Sequence, residues 1–324
     1  MRNLLRILAL GALALGQPAS GAPIEIRVAL QEGGTAAWEA AAMQALHLDQ
    51  ANGLTLTIRN VADSKAGQVA LQSGAVDVIL SDYIWVSLQR HQGADFTFVP
   101  HSLAVGGVMA MPGGRVKSVA DLKGVTIAVA GGPVDKSYLI LQAFYNATTG
   151  SDLTRDARTI FGAPPLVNEQ LANGSADAAL NFWHFNARAG MAGAVELISV
   201  KAMLAGLGIP RQPPLLGWVF SEKTATDNPG MIKRYLDASF ATKQALLTDD
   251  ALWNQIRPLM HADDDALFAA LRDAYRAGIV TGYDEADIQA ATAAYALLAK
   301  FGGTDLTGDA SALAPGTFWA GYRK

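Results

Sequence analysis

The chain has no cysteine among its 324 residues. That excludes disulfides, thiolate metal sites, cysteine nucleophiles and a lipid-modified N-terminal cysteine. Charge is also sparse, at 17% of residues with a formal net of −4. Without basic clusters, this mildly acidic balance argues against nucleic acid or anionic lipid as a partner. Histidine is thin: His47, His91, His101, His184 and His261 are scattered, with no H-x-H or H-E-x-x-H spacing. "HADDD" (261–265) gathers acids at a helix start but lacks a calcium-loop glycine, and reads as capping rather than metal binding. No G-x-S-x-G elbow is present. Nothing here asks for catalysis, and no metal or cofactor is expected.

Long apolar runs are missing too, with one short exception. "MRNLLRILALGALALGQPASGA" places Arg2 and Arg6 before an apolar stretch from Ile7 to Leu15, then Ser20 and Ala22 at A-x-A-like positions. This reads as a secretory signal peptide over residues 1–22, its core far short of the ~20 residues that span a bilayer. An exported, periplasmic protein that is not membrane-inserted is therefore expected. The leader carries two arginines and no acid, so 25 Lys+Arg fall to 23 against 29 Asp+Glu, a formal charge of −6.

What is present is a 51% hydrophobic content, in a chain long enough for two domain-sized cores. Strand and helix patterns alternate. "IEIRVAL" (24–30), "LTLTIRN" (54–60), "AVDVILS" (75–81) and "DFTFVPHS" read as strands, separated by helical patterns from Thr35, over "SKAGQVALQSG" and over Tyr83–Gln92. That spacing indicates βαβ units and a parallel sheet. After "LAVGGVMAMPGG" the pattern restarts with "VTIAVA", "ARTIF", "ADAALNF", "AVELISV" and then "LLGWVFS" (215–221); beyond Asp227 it is helical. The stretches "LQSGAVDVILSDYIWV" (71–86) and "LANGSADAALNFWHFN" (171–186) echo one another in register, as two halves of one architecture would.

"VTIAVAGGPVDKSYLILQAF" (125–144) looks like the start of a phosphate loop. Counting back from Lys136, however, the two required glycine positions hold Ala130 and Asp135. A carboxylate in the nest would repel a polyphosphate. The stretch reads instead as a helix N-terminus aimed at a cleft.

The motifs "ANGLTLTIRN", "LQSGAVDVILSD", "SVADLKGVTIAVAGG" and "LANGSADAALNFW", in this order from about residue 24 to 200, resemble those of the substrate-binding proteins of ABC importers. The branch is the nitrate/sulfonate/taurine one with its thiamine-precursor relatives. The resemblance implies a type II periplasmic-binding-protein fold of α/β class: two lobes, each a mostly parallel sheet flanked by helices, with a ligand cleft between them. Lobe 1 would hold residues 23–104 plus 212–324 and lobe 2 residues 105–211, with Gly106 and Gly107 supplying the backbone freedom of a hinge. The implied partners are a small-molecule ligand and the permease and ATPase subunits, the protein itself being a monomer. The same fold also hosts a thiamine-pyrimidine synthase and a chorismate-type lyase; the leader and the lack of cysteine oppose both. A soluble sensor component is the other alternative.

Ligand contacts are expected outside the carboxyl ends of the strands. The candidates are Gly34, Thr35 and Trp38 after the first strand, and Ser81, Asp82 and Tyr83 after the third. In the second lobe they are Gly132, Asp135, Lys136, Ser137 and Tyr138, then Asn181, Trp183 and His184. Thr35 doubles as a candidate N-cap, and Asp82 and Asp135 as caps of their own helices. Asp135 would cancel the field that a helix N-terminus offers an anion. With the nearby aromatics, this favours a small neutral or cationic organic ligand with an apolar or ring face over nitrate or an alkylsulfonate.

Overall fold

The computed structural model describes residues 22–324; the leader reading lies outside them. Ten strands form: β1 (Ile24–Gln31), β2 (Leu54–Val61), β3 (Val78–Asp82), β4 (Phe96–Ser102), β5 (Gly107–Ala110), β6 (Thr126–Ala130), β7 (Arg158–Gly162), β8 (Ala178–Asn181), β9 (Val195–Ser199) and β10 (Leu216–Ser221). They make two five-stranded sheets, ordered β2-β1-β3-β10-β4 and β7-β6-β8-β5-β9. Within the first, β1 is parallel to β2 and β3, and β10 runs antiparallel between β3 and β4. In the second, β6 is parallel to β7 and β8, and β5 runs antiparallel between β8 and β9. Each sheet thus has the same order, with one reversed strand in the fourth place. The two echoing stretches fall on β3 and β8, the third strand of each unit.

The reversed strands follow from the crossings. The chain leaves the first sheet through β4 and enters the second through β5; it returns after β9 and inserts β10 between two strands already made. Strands β6 and β3 carry nearly continuous buried side chains, as strands covered by helices on both faces must. The C-terminal helices reach both sheets. Helix Asp265–Ala277 packs on Trp183–Met191, and Glu285–Thr307 lies against both Tyr83–His91 and Lys136–Thr149.

The first crossing also gives its glycines a steric reason. A Cβ on Gly106 would stand 1.6 Å from the carbonyl oxygen of Asn181, and one on Gly107 would stand 2.5 Å from that of Ile198. At both positions neighbouring backbone passes too close for a side chain. The segment just before is held as well. The Leu103 amide donates to the Gly278 carbonyl at 2.8 Å, and the Gln212 amide donates to the Leu103 carbonyl.

Gly106→Ala should therefore overpack the crossing, at a cost of about 1–3 kcal/mol. Gly190→Ala, where a Cβ meets nothing within 4 Å, should leave stability unchanged or raise it. Thermal denaturation of the two variants checks this, and equal melting temperatures would contradict it.

Candidate functional site

Strand β3 ends at Asp82, whose extended backbone (φ −103°, ψ 152°) lets Oδ1 accept from the Ile84 and Trp85 amides at 3.1 and 2.9 Å. Asp82 thus caps helix Tyr83–His91. In the second lobe Asp135 caps helix Lys136–Thr149, its Oδ1 accepting from the Ser137 and Tyr138 amides at 2.9 and 3.3 Å. Between the two caps, Lys136 Nζ donates to Asp82 Oδ2 at 2.8 Å. One ion pair therefore joins the carboxyl-end turns of β3 and β6 across the cleft. Burial alone would lower the Lys136 pKa, but Asp82 and Asp135 outweigh it and hold the ammonium above its ordinary value. Burial pushes the Asp135 carboxyl up, against the opposing pull of Lys136 and the two amides.

A second bridge is aromatic. Trp38, on helix Ala36–Ala45, meets Trp183 of the second lobe edge-on, with centroids 5.9 Å apart. Tyr275 lies 6.1 Å from each of them. His184 follows Trp183, packed on Phe185 with its Nδ1 buried and unpartnered. Burial, with Arg188 nearby, lowers its pKa to about 4 and keeps the imidazole neutral at neutral pH.

Several expected contacts go elsewhere. Tyr83 is not in the cleft. It is fully buried, its ring packed on Phe98 and Phe318 and its hydroxyl donating to the Ala291 carbonyl at 3.0 Å. Tyr138 is likewise a core ring, set on Phe161 and paired with Thr159 Oγ1 at 2.9 Å. At i+1 of Asp82 and i+3 of Asp135 respectively, both rings turn under their helices rather than over the turn. Asn181 is a brace: its Nδ2 donates to the Pro164 carbonyl and to Asn168 Oδ1 at 2.9 and 2.8 Å, and its Oδ1 accepts from the Phe182 amide. Thr35 precedes its helix but does not cap it, because its backbone is already α-helical (φ −71°, ψ −15°) and directs the hydroxyl away from the free amides. Ser81 is buried, accepting from Gln68 at 3.1 Å. Trp38 is nearly covered, its Nε1 donating to the Leu259 carbonyl. Gly34, Thr35, Gly132, Asp135, Lys136, Ser137, Trp183 and His184 keep partial exposure.

Sequence reasoning missed a buried charged network beside Trp38. Glu39 Oε2 accepts from Lys243 Nζ at 2.6 Å and from the Tyr275 hydroxyl at 3.2 Å, while Oε1 accepts from Ser239. Lys243 also donates to His101 Nδ1 at 3.1 Å, and Trp218 Nε1 to Ser239 at 3.0 Å. Burial pushes the Glu39 carboxyl up, but Lys243 and Ser239 together hold it below the usual range. Burial takes the His101 pKa down to about 3, so the ring is neutral and can accept from Lys243. The one available signal was a lone acid in the otherwise apolar helix "AAWEAAAM".

Among the described residues no group of three or more His, Cys, Asp or Glu could hold a metal ion, and no helix is long and apolar enough to cross a membrane.

This two-lobed arrangement is that of the periplasmic binding proteins. The alkanesulfonate-binding protein of Xanthomonas axonopodis pv. citri, bound to MOPS, is similar with a TM-score of 0.71 at 18% identity, over 92% of this chain and 99% of that one. The periplasmic aliphatic sulphonate-binding protein of Escherichia coli gives 0.73 at 16%, over 92% of each chain. The periplasmic nitrate-binding protein of Synechocystis PCC 6803 gives 0.58 at 10%, over 81% of this chain and 71% of that one. No curated protein sequence matches. The family model described as NMT1/THI5 like matches residues 50–249, and the chain belongs to that family.

Lys243→Met should strand the Glu39 carboxylate in the core and cost about 3–5 kcal/mol. The double variant Glu39→Gln/Lys243→Met should recover part of that loss. Chemical denaturation reads both, and a double variant no more stable than the single one would contradict the pairing.

Proposed function

We propose that the protein is the periplasmic solute-binding component of an ABC importer, which captures a small organic molecule between its lobes and delivers it to the permease. The observation that carries this reading is the Lys136–Asp82 contact. It brings the turn after β6 against the turn after β3, so the carboxyl ends of both parallel units converge on one cleft, where open α/β sheets bind ligands. The fold shared with sulfonate- and nitrate-binding proteins supports the same role. In this reading residues 23–104 with 212–324 and residues 105–211 act as the two lobes, in a monomer that needs no cofactor.

The ligand class follows from charge. Asp82 and Asp135 face a single ammonium, Lys136, which Asp82 already engages. Asp135 occupies the free amides of its helix, the groups an oxyanion would use. A neutral or cationic organic ligand with an apolar or ring face suits such a site better than the anions named for the structural relatives. Trp183 and the neutral His184 supply the ring-facing wall.

A thermal-shift panel of amines, pyrimidines, alkanesulfonates and nitrate, on wild type and Asp135→Asn, tests the assignment. Amines or pyrimidines should stabilise the wild type most, and Asp135→Asn should shift the preference toward anions. Stabilisation of the wild type chiefly by an oxyanion would overturn it.

A further inference from the structure

Residues 257–261 sit where the two lobes touch, and they offer backbone to both. The 3-10 turn Arg257–Met260 ends at His261, whose backbone is left-handed (φ 48°, ψ 48°). The last carbonyls of a helix have no partner within it, and here three in succession are taken by other elements. Leu259 O accepts from Trp38 Nε1 at 3.1 Å, Met260 O from Arg188 Nη2 at 2.6 Å and His261 O from Arg188 Nη1 at 3.1 Å. Trp38 belongs to the first lobe and Arg188 to the second. Their acceptors are consecutive residues, whose outer Cα atoms are at most about 7.6 Å apart.

The turn is itself braced. Arg257 donates from Nε to the Ala262 carbonyl at 3.2 Å and from Nη1 to Asp265 Oδ1 at 2.7 Å, with its guanidinium over the Phe268 ring. Met260 is fully buried, and Ile256 and Ala262 nearly so. All three lie in the apolar cluster that holds Trp38 and Tyr275, and Trp183 and Ala187 pack against it. Left-handed backbone strains a residue other than glycine; His261 bears that strain with its side chain exposed, so what it secures is the direction of the carbonyls. Arg188 and Trp183 share helix Trp183–Met191. The edge-on contact of Trp183 with Trp38 supplies burial, but such pairs tolerate centroid separations of about 4.5–7 Å and fix little geometry. Charge-assisted bonds from a planar guanidinium fork are short and directional.

We infer that Arg188 is a positioning residue: by clasping the turn that also holds Trp38, it sets how Trp183 meets Trp38 across the lobes. The turn is the common reference for both rings, and Arg188 is the link that carries it to the second lobe. The role gains its purpose from the solute-binding reading, in which Trp183 is part of the ring-facing wall; the clasp itself consists of protein contacts alone.

Fluorine NMR of protein grown with 5-fluorotryptophan tests this, because it reads each of the six indoles separately, with Trp→Phe variants assigning the resonances. Arg188→Met should shift or broaden the resonances of both Trp183 and Trp38, although Trp38 lies in the other lobe. Those of Trp85, stacked on Phe96, and Trp319, packed on Phe220, should stay in place. Arg188→Lys, which offers a point charge instead of a fork, should recover part of both shifts. His261→Gly keeps the carbonyl and relieves the strain, so it should leave the resonances in place and raise the melting temperature. A shift of Trp183 alone would make Arg188 a local brace of its own helix and overturn the clasp. No shift at either ring, or a shift spread over all six, overturns it too. Should Arg188→Met fail to fold, Arg188→Lys is read by the same rule. The measurement uses no solute, so its failure leaves the solute-binding reading standing.

Discussion

An ion pair, Lys136 to Asp82, joins the two lobes at their facing strand-end turns. Asp82 is oriented by the amides of the helix it caps, and Lys136 opens a helix that Asp135 caps. The cap thus fixes the Asp82 carboxylate, while the lysine side chain is ordered by the pair itself. Its lysine side chain is 26% exposed, and such a partly solvated pair contributes about 1 kcal/mol or less. It is one of several contacts between the lobes, beside the Trp38–Trp183 edge contact and the packing of helix Glu285–Thr307 on both.

Around this contact the molecule divides its labour. The first lobe is stiffened by the network of Glu39, Lys243, His101, Ser239 and Tyr275, which joins helices distant in sequence to the end of β4. Tyr275 belongs to that network through its hydroxyl and to the aromatic bridge through its ring, so the buried charges also set the position of Trp38 and Trp183. The C-terminal helices span both lobes, with Arg188 of the second lobe donating to the Met260 and His261 carbonyls. The Asp82–Lys136 tie is thus joined by aromatic, helix-packing and backbone contacts between the same two lobes.

Much of the fold was legible in the sequence, and for physical reasons. Strands such as "VTIAVA" are apolar, β-branched and bounded by glycine turns, and caps such as Asp82 and Asp135 sit next to the helices they start, so their signals are local. The echo of residues 71–86 and 171–186 placed β3 and β8 correctly because both occupy the same slot in the sheet. The reversal of β5 and β10 left no mark in the pattern, since a buried strand reads alike in either direction. The site was legible only at its turns. That Lys136 answers Asp82 depends on how two lobes meet, not on spacing. Tyr83 and Trp183 hold the same first position of their helices, so which of them stays partly exposed depends on what packs there rather than on spacing. The Glu39–Lys243 pair, separated by 204 positions, was beyond any local signal.

The central claim is that the lobes close on a ligand about the Asp82–Lys136 contact. The lack of native cysteine makes a direct measurement simple, because two introduced cysteines are the only labelling sites. Spin labels at Gln72→Cys and Ala172→Cys, exposed positions on the two echoing helices, report the interlobe distance by pulsed electron resonance. With a molecule that calorimetry shows to bind, the distance distribution should narrow and move to its shorter component. A broad distribution that the bound ligand leaves unchanged would contradict closure.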